Sequence, residues 1–236
     1  PMGALLGGST NWRTPFVIVA AVAALGVLLL ATAMERTPAP TTGVGDEIRT
    51  LLRAPVLLAV ATTTIGFAGV GLVFTYLVPL LSEVTGIAAG TIPGLLLAYG
   101  IGGFIGNLVA GRLADLSVRA TLVGVLLALI LTLAVFPLLA PRPAPMIGAV
   151  LILGLLSTAT IAPLQSLVLH HAGAAPTLSL AVNVGAFNLA NAIGAALGGL
   201  GAAAGLLRWS GFGGALLAAA GLGLAAAALR MDREAR

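Results

Sequence analysis

The sequence predicts an all-α membrane protein with seven transmembrane helices and, ahead of them, the stub of another. Three observations carry this prediction. Of 236 residues, 59% are hydrophobic and only 8% are charged, where an ordinary soluble domain has about a quarter of its residues charged. Mean hydropathy is +1.14 over the whole chain, which leaves too little polar sequence to cover a globular surface and excludes disorder. The apolar residues also fall into uncharged runs long enough to cross a bilayer core, which takes roughly 20 residues in helical form. They lack the apolar–polar alternation that a transmembrane β-barrel requires.

The runs set the helices in order. Residues 14–34 hold one span, 54–82 a long second, and 84–111 a third centred on 92–110. A fourth occupies 120–141. Residues 143–207 carry no charge; as a single helix they would run about 98 Å, so two spans are expected. Their break is placed at His170-His171-Ala172-Gly173-Ala174-Ala175-Pro176-Thr177, a polar cluster punctuated by Gly and Pro. Residues 209–229 make the seventh span. The opening PMGALLGG reads as the tail of a preceding span, so the chain is expected to be cut from something longer.

Composition excludes several functions. There is no cysteine, and all eleven basic residues are arginine. Disulfides, thiolate metal sites and amine-based covalent catalysis are therefore ruled out. The net charge of +4 is spread over single arginines between apolar runs, so no nucleic-acid partner is expected. His170 and His171 have no nearby acid or cysteine to complete a metal site, and adjacent positions point different ways on a helix. Interaction with a helix C-terminus accounts for them. No metal, no cofactor and no catalytic residues are expected, and the chain reads as a non-enzyme.

Arginine placement gives the orientation. With the C-terminus inside, Arg36, Arg49, Arg53, Arg112, Arg119, Arg230, Arg233 and Arg236 fall on one side, against Arg13, Arg142 and Arg208 on the other. The positive-inside rule then makes the C-terminus cytoplasmic and puts residues 9–13 outside, in a multi-pass protein of the plasma (inner) membrane. The longest loop, residues 35–53, has the Pro, Thr and Gly content of a linker, and 46–53 could form a short surface helix.

Several stretches resemble the major facilitator superfamily. Residues 106–119 are similar to its cytoplasmic loop between helices 8 and 9, with Gly111, three residues, Asp115, then Arg119. In that reading Gly111 lets the chain turn at the membrane surface, Asp115 sits at the positive end of a facing helix, and Arg119 pairs with Asp115 or with lipid phosphate. Leu116 and Val118 depart from the family pattern, and an ordinary polar turn gives the same residues. Residues 181–199 (AVNVGAFNLANAIGAALGG) look like helix 11 of the drug:proton antiporter branch, among arabinose efflux permeases and sugar, nucleoside and chloramphenicol exporters. Tyr76-Leu77-Val78-Pro79-Leu80-Leu81 with Glu83 and Gly86 resembles the outer end of helix 7. The opening residues with Asn11-Trp12-Arg13 and Phe16 are similar to the end of helix 5 and the start of helix 6. The resemblance implies helices 6 to 12. Residues 1–34 would then close an N-terminal bundle, 35–53 link the bundles, and 54–236 form the C-terminal six-helix bundle. Arg208-Trp209 before the last span echoes Trp12-Arg13 before the first, although Trp and Arg favour interfaces in any case.

Polar side chains inside spans are the candidate site residues, because hydrocarbon penalises them. Asn183, Phe187 and Asn191 fall at i, i+4 and i+8 and share one helix face, where the amides could bind substrate or bridge to a neighbouring helix. The family layout implies that the second and fifth spans line a central cavity. Thr63, Phe67 and Phe74 on the former and Ser157, Thr160 and Gln165 on the latter are then substrate-binding candidates. Thr hydroxyls can instead bond their own helix, and Pro163 is expected to bend the fifth span. Gly194-x3-Gly198, Gly201-x3-Gly205 and Gly102-x3-Gly106 permit close helix packing.

The resemblance implies a secondary transporter that exports a small drug, sugar or metabolite by proton antiport. Its partners would be membrane lipid, the small-molecule substrate and the missing N-terminal helices of the same protein, with a proton gradient as driving force. No Asp, Glu or Arg lies at mid-membrane depth, so this portion is expected not to transport alone. A seven-helix receptor is the alternative that seven spans and an outside start allow.

Overall fold

The computed structural model describes residues 13–33, 44–173 and 175–234, and all regular structure among them is helical. The opening stub, Trp12, most of the linker's first half and Arg236 lie outside the described residues. The chain divides into two units, residues 1–41 and 42–236, each held together mainly by its own internal packing.

In the first unit, α1 spans Thr14–Ala33, 20 residues with none buried. Its length matches a bilayer core. Apolar side chains cover it all round, as expected for a helix surrounded by apolar neighbours; Phe16, for example, is 69% exposed.

The second unit begins with α2 (Val44–Leu51), which carries Asp46 and Glu47 in its first turn and Arg49 in its last, a charge order that complements the helix dipole. The surface helix expected at 46–53 is therefore present two residues earlier. Next come α3 (Ala54–Thr75), a helical turn at Leu77–Pro79 and a π-helical turn at Leu80–Val84. Beyond them lie α4 (Ile92–Leu139), α5 (Pro143–Ala159), α6 (Ile161–His171), α7 (Pro176–Ala203) and α8 (Ser210–Glu234).

Among the described residues, six helices are long and apolar enough to cross a membrane, counting α5 and α6 together. One of the six is α4, with 48 residues; as a straight rod it would run about 72 Å, more than twice a bilayer core. It is broken at Ser117, whose backbone is extended (φ −163°, ψ 101°). The two arms, 92–116 and 118–139, are the expected third and fourth spans, which makes seven crossings. The turn itself departs from expectation. Gly111 lies within the first arm and has ordinary helical backbone, because the only described residues with positive φ are Gly86, Gly173 and Gly205. Ser117 makes the turn instead, and its Oγ accepts the Ala120 N–H at 3.2 Å, capping the second arm as an N-cap serine does.

The other breaks follow the sequence. α6 ends at His171 and α7 starts at Pro176, within the predicted cluster. Pro163 supplies no N–H to the carbonyl four residues back, at Ala159, and its ring crowds that carbonyl. The helix is interrupted there, between α5 and α6.

α3 is the central element, packed against α7 and α8, while α4 packs against α5, α6 and α8. The approaches are made at glycines. A Cβ on Gly69 would fall on the Gly214 carbonyl of α8, one on Gly194 of α7 on the α3 backbone at Ala68 and Leu72, and one on Gly106 on the α5 carbonyl of Leu155. Gly102 meets the backbone of α5, and Gly198 meets Tyr76. Gly201 has no neighbour within 4 Å and Gly205 stands beyond the end of α7 with φ 71°, so that third Gly pair is not a packing motif. Leu126, Leu129, Leu133 and Phe136 of α4 fill the core with Leu153 and Met146 of α5.

Gly106→Val is expected to lower stability by about 1–3 kcal/mol through overpacking. Gly124→Ala, where nothing lies within 4 Å, should gain about 0.5–1 kcal/mol from helix propensity. Thermal unfolding of both variants in detergent micelles checks the contrast.

Candidate functional site

The substrate-binding candidates fall on α3, α5, α6 and α7 of the second unit, with Thr160 between α5 and α6, and two groups of contacts hold several of them. The first joins α3 to α7. Phe67 meets Phe187 edge-on, with ring centroids 4.9 Å apart and planes at 86°, the geometry aromatic quadrupoles favour. Four residues further along each helix, a Cβ on Gly71 would come within 3.0 Å of the Asn191 backbone, so α3 and α7 run parallel. The same register puts Asn183 at the level of Thr63, one turn before the phenylalanine pair.

The second group joins α3, α4 and α5. Phe74 is 44% exposed and stacks on Tyr99 at 4.9 Å and 28°. The Tyr99 hydroxyl donates to Ser157 Oγ at 2.8 Å, and Ser157 donates to the Gly154 carbonyl at 2.9 Å. Thr160 donates to the Ser157 carbonyl at 2.6 Å. Thr158, also on α5, donates across to the Gly103 carbonyl of α4. Tyr99 was not among the sequence candidates. The available signal was a phenol inside an otherwise apolar run, since one of the chain's two tyrosines stands there.

Thr63, a candidate, and several other polar side chains of these helices are occupied locally. Thr62, Thr63, Thr64 and Thr75 each bond the carbonyl four residues back, at 2.8, 3.4, 3.0 and 2.7 Å. This is the back-bonding open to any helical threonine. Asn188 does the same with Val184. Asn191 is exposed and Gln165 half-buried. Asn183 is 0% exposed, and its amide nitrogen and oxygen, with the hydroxyl of Ser179 one turn earlier, have no hydrogen-bond partner among the described residues. An unpaired buried amide costs roughly 1–3 kcal/mol.

The charged residues keep to the ends. Ser117, Arg119, His170 and Leu229 line a cavity of about 530 Å³ at one end. At the other, Tyr76, Glu83 and Arg208 line one of about 460 Å³. Neither takes a substrate-binding candidate as lining. Arg208 also donates to the Pro137 carbonyl at 3.1 Å and lies 5.2 Å from the Trp209 ring centre; Trp209 stacks on Phe212. Asp115 and Arg119 are both exposed and form no ion pair with each other. The extended residue at Ser117 destroys the i, i+4 register that would bring them together. No group of three or more His, Asp or Glu among the described residues could hold a metal.

Comparison with known proteins decides the family, since the model of the Major Facilitator Superfamily matches residues 1–199. The chain belongs to that superfamily. MFS-type transporter YfhI of Bacillus subtilis (strain 168) is 38% identical over 224 residues, covering 94% of this chain and 56% of the relative. Inner membrane transport protein YdhP of Escherichia coli (strain K12) is 36% identical over 210 residues, 87% of this chain and 53% of the relative. A chloramphenicol resistance protein of Streptomyces lividans is 34% identical over 199 residues, 82% and 51% respectively. The chain thus spans about half the length of the curated relatives it matches. Membership in the major facilitator superfamily makes this a multi-pass membrane protein of a transporter family, and it favours neither the receptor alternative nor an enzyme.

Asn183→Leu keeps the branched side-chain shape and removes the buried amide, and it should raise stability by about 1–2 kcal/mol. Ser157→Ala strands the Tyr99 hydroxyl and should lower stability by about 1 kcal/mol. Chemical unfolding in micelles, followed by circular dichroism, measures both signs.

Proposed function

We propose that this superfamily member is part of a secondary active transporter that exports a small neutral or weakly polar molecule by proton antiport with alternating access. Residues 54–236 supply its C-terminal bundle, 1–34 the end of the N-terminal one, and 35–53 the linker. The protein sits in the plasma (inner) membrane with a cytoplasmic C-terminus. The substrate class is a small drug, sugar or metabolite, and a chloramphenicol-like amphipath is the first to test.

The observation that carries this reading is the Phe74–Tyr99–Ser157 assembly. An exposed aromatic face is backed by a hydrogen-bonded phenol, on helices held together at glycines. A ring there offers apolar area to a ligand, while Asn191 and Gln165 offer amides that can donate and accept. Glycine contacts suit rigid-body rocking, because smooth helix faces slide with little repacking. Gly111, Asp115 and Arg119 belong to the gating loop in this reading.

Energy coupling rests with the preceding helices. The acids with described side chains, Asp46, Glu47, Glu83 and Asp115, all stand near helix ends, away from the path a proton would take through the hydrocarbon.

In everted vesicles holding the natural full-length protein, efflux is expected to stop when a protonophore collapses the gradient. Phe74→Ala should reduce it about tenfold, the equivalent of one lost aromatic contact. Residues 1–236 alone should give no export. Robust proton-dependent export by residues 1–236 alone would sink the assignment of coupling to the preceding helices.

A further inference from the structure

We propose that the arginine-rich end of the bundle binds the phosphate of an anionic phospholipid, in the cavity where the break in α4 meets the end of α6 and the last turns of α8. The cavity measures about 530 Å³. Its polar lining residues are Ser117, Arg119, Ser166 and His170, with no acidic residue among the lining. Residues that carry a fixed cation, an imidazole and two hydroxyls, lining one cavity from two separate helices, suit a ligand with several acceptor oxygens and negative charge.

The local structure strengthens that chemistry. Arg119 forms no ion pair among the described residues, because the extended backbone at Ser117 turns it away from Asp115. The same residue caps the second arm of α4 through the Ala120 N–H, so Val118 and Arg119 open a helix whose positive dipole end adds to the arginine charge. His170 is held as well. It stands edge-on to His171, ring centres 5.2 Å apart, and His171 Nδ1 bonds the Leu167 carbonyl at 2.8 Å.

The rest of the lining says which phosphate. Leu167, Leu169 and Leu229 wall the cavity, and Leu169 is exposed, as is Leu116 beside the break. A soluble phosphate gains nothing from that wall, whereas a phospholipid lays its acyl chains along it while its headgroup meets Arg119. Arg49, Arg53 and Arg230 belong to helix ends on this side of the second unit, and basic pockets between transmembrane helices at such a face recognise anionic headgroups. The site needs no transport cycle, so it stands or falls independently of the proposed export.

Native mass spectrometry of the natural full-length protein, offered phosphatidylglycerol and phosphatidylcholine in mixed micelles, tests the site. The wild type is expected to retain phosphatidylglycerol preferentially. Arg119→Gln should weaken that retention about fivefold, the effect of one interfacial charge, and Arg53→Gln, outside the cavity, less than about twofold. Leu229→Trp fills the cavity without changing charge and should also release the lipid. Circular dichroism and elution volume establish that each variant is folded, and either cavity variant suffices if the other fails to fold. Wild-type retention in the folded cavity variants would overturn the proposal. Displacement of the lipid by excess inorganic phosphate would reassign the cavity to a soluble phosphate and overturn the lipid assignment.

Discussion

The close approach of helix backbones at glycine is the constraint on which the rest of the second unit depends. In lipid, apolar side chains gain little by leaving hydrocarbon for one another, so association rests on van der Waals contact and hydrogen bonds. α3 meets this demand with Gly66, Gly69 and Gly71, which lie against Gly221 and Gly214 of α8 and the Asn191 backbone of α7. The first arm of α4 meets α5 in the same way, with Gly106 under the Leu155 carbonyl and Gly154 under Tyr99. These approaches set the register in which Phe67 finds Phe187 and Tyr99 reaches Ser157.

Tight packing also sorts the polar groups. Where helices touch, no water can enter, so a hydroxyl must bond its own helix or a neighbouring side chain or backbone. The threonines of α3 take the first course and the Tyr99–Ser157 and Thr158–Gly103 pairs the second. Among the described residues, Asn183 and Ser179 take neither, and their burial puts unspent hydrogen-bonding capacity inside the α7 packing. Phe74 and Asn191 remain exposed, and this difference in surroundings separates residues that look equivalent in the sequence.

Charge obeys a different rule, set by the membrane surface. The described arginines stand near helix ends, and the cavities lined by Arg119 and by Arg208 lie at the ends of the bundle. Superfamily membership gives this arrangement a context, since the spans of a transporter-family chain keep their charges at the helix ends, out of the hydrocarbon. The break at Ser117 then matters twice. It turns one over-long helix into two spans, and it frees Arg119 from Asp115.

What the sequence by itself determined was everything fixed by transfer free energy and by backbone chemistry. Uncharged runs gave the spans, Pro176 and the residues before it gave the break before α7, and Pro163 gave the interruption of α5 and α6. The motif around Gly111 also marked the correct turn region. It misplaced the turning residue, because glycine permits a turn without requiring one, and the serine six positions later could cap the next helix. The tertiary structure alone decided which neighbours each polar side chain has. Periodicity put Asn183, Phe187 and Asn191 on one face, yet only packing sealed the first, paired the second and exposed the third. Nothing local singles out Tyr99, because its partners, Phe74 and Ser157, lie 25 and 58 residues away along the chain. Pairings of that range depend on how whole helices dock, a geometry that no local pattern records.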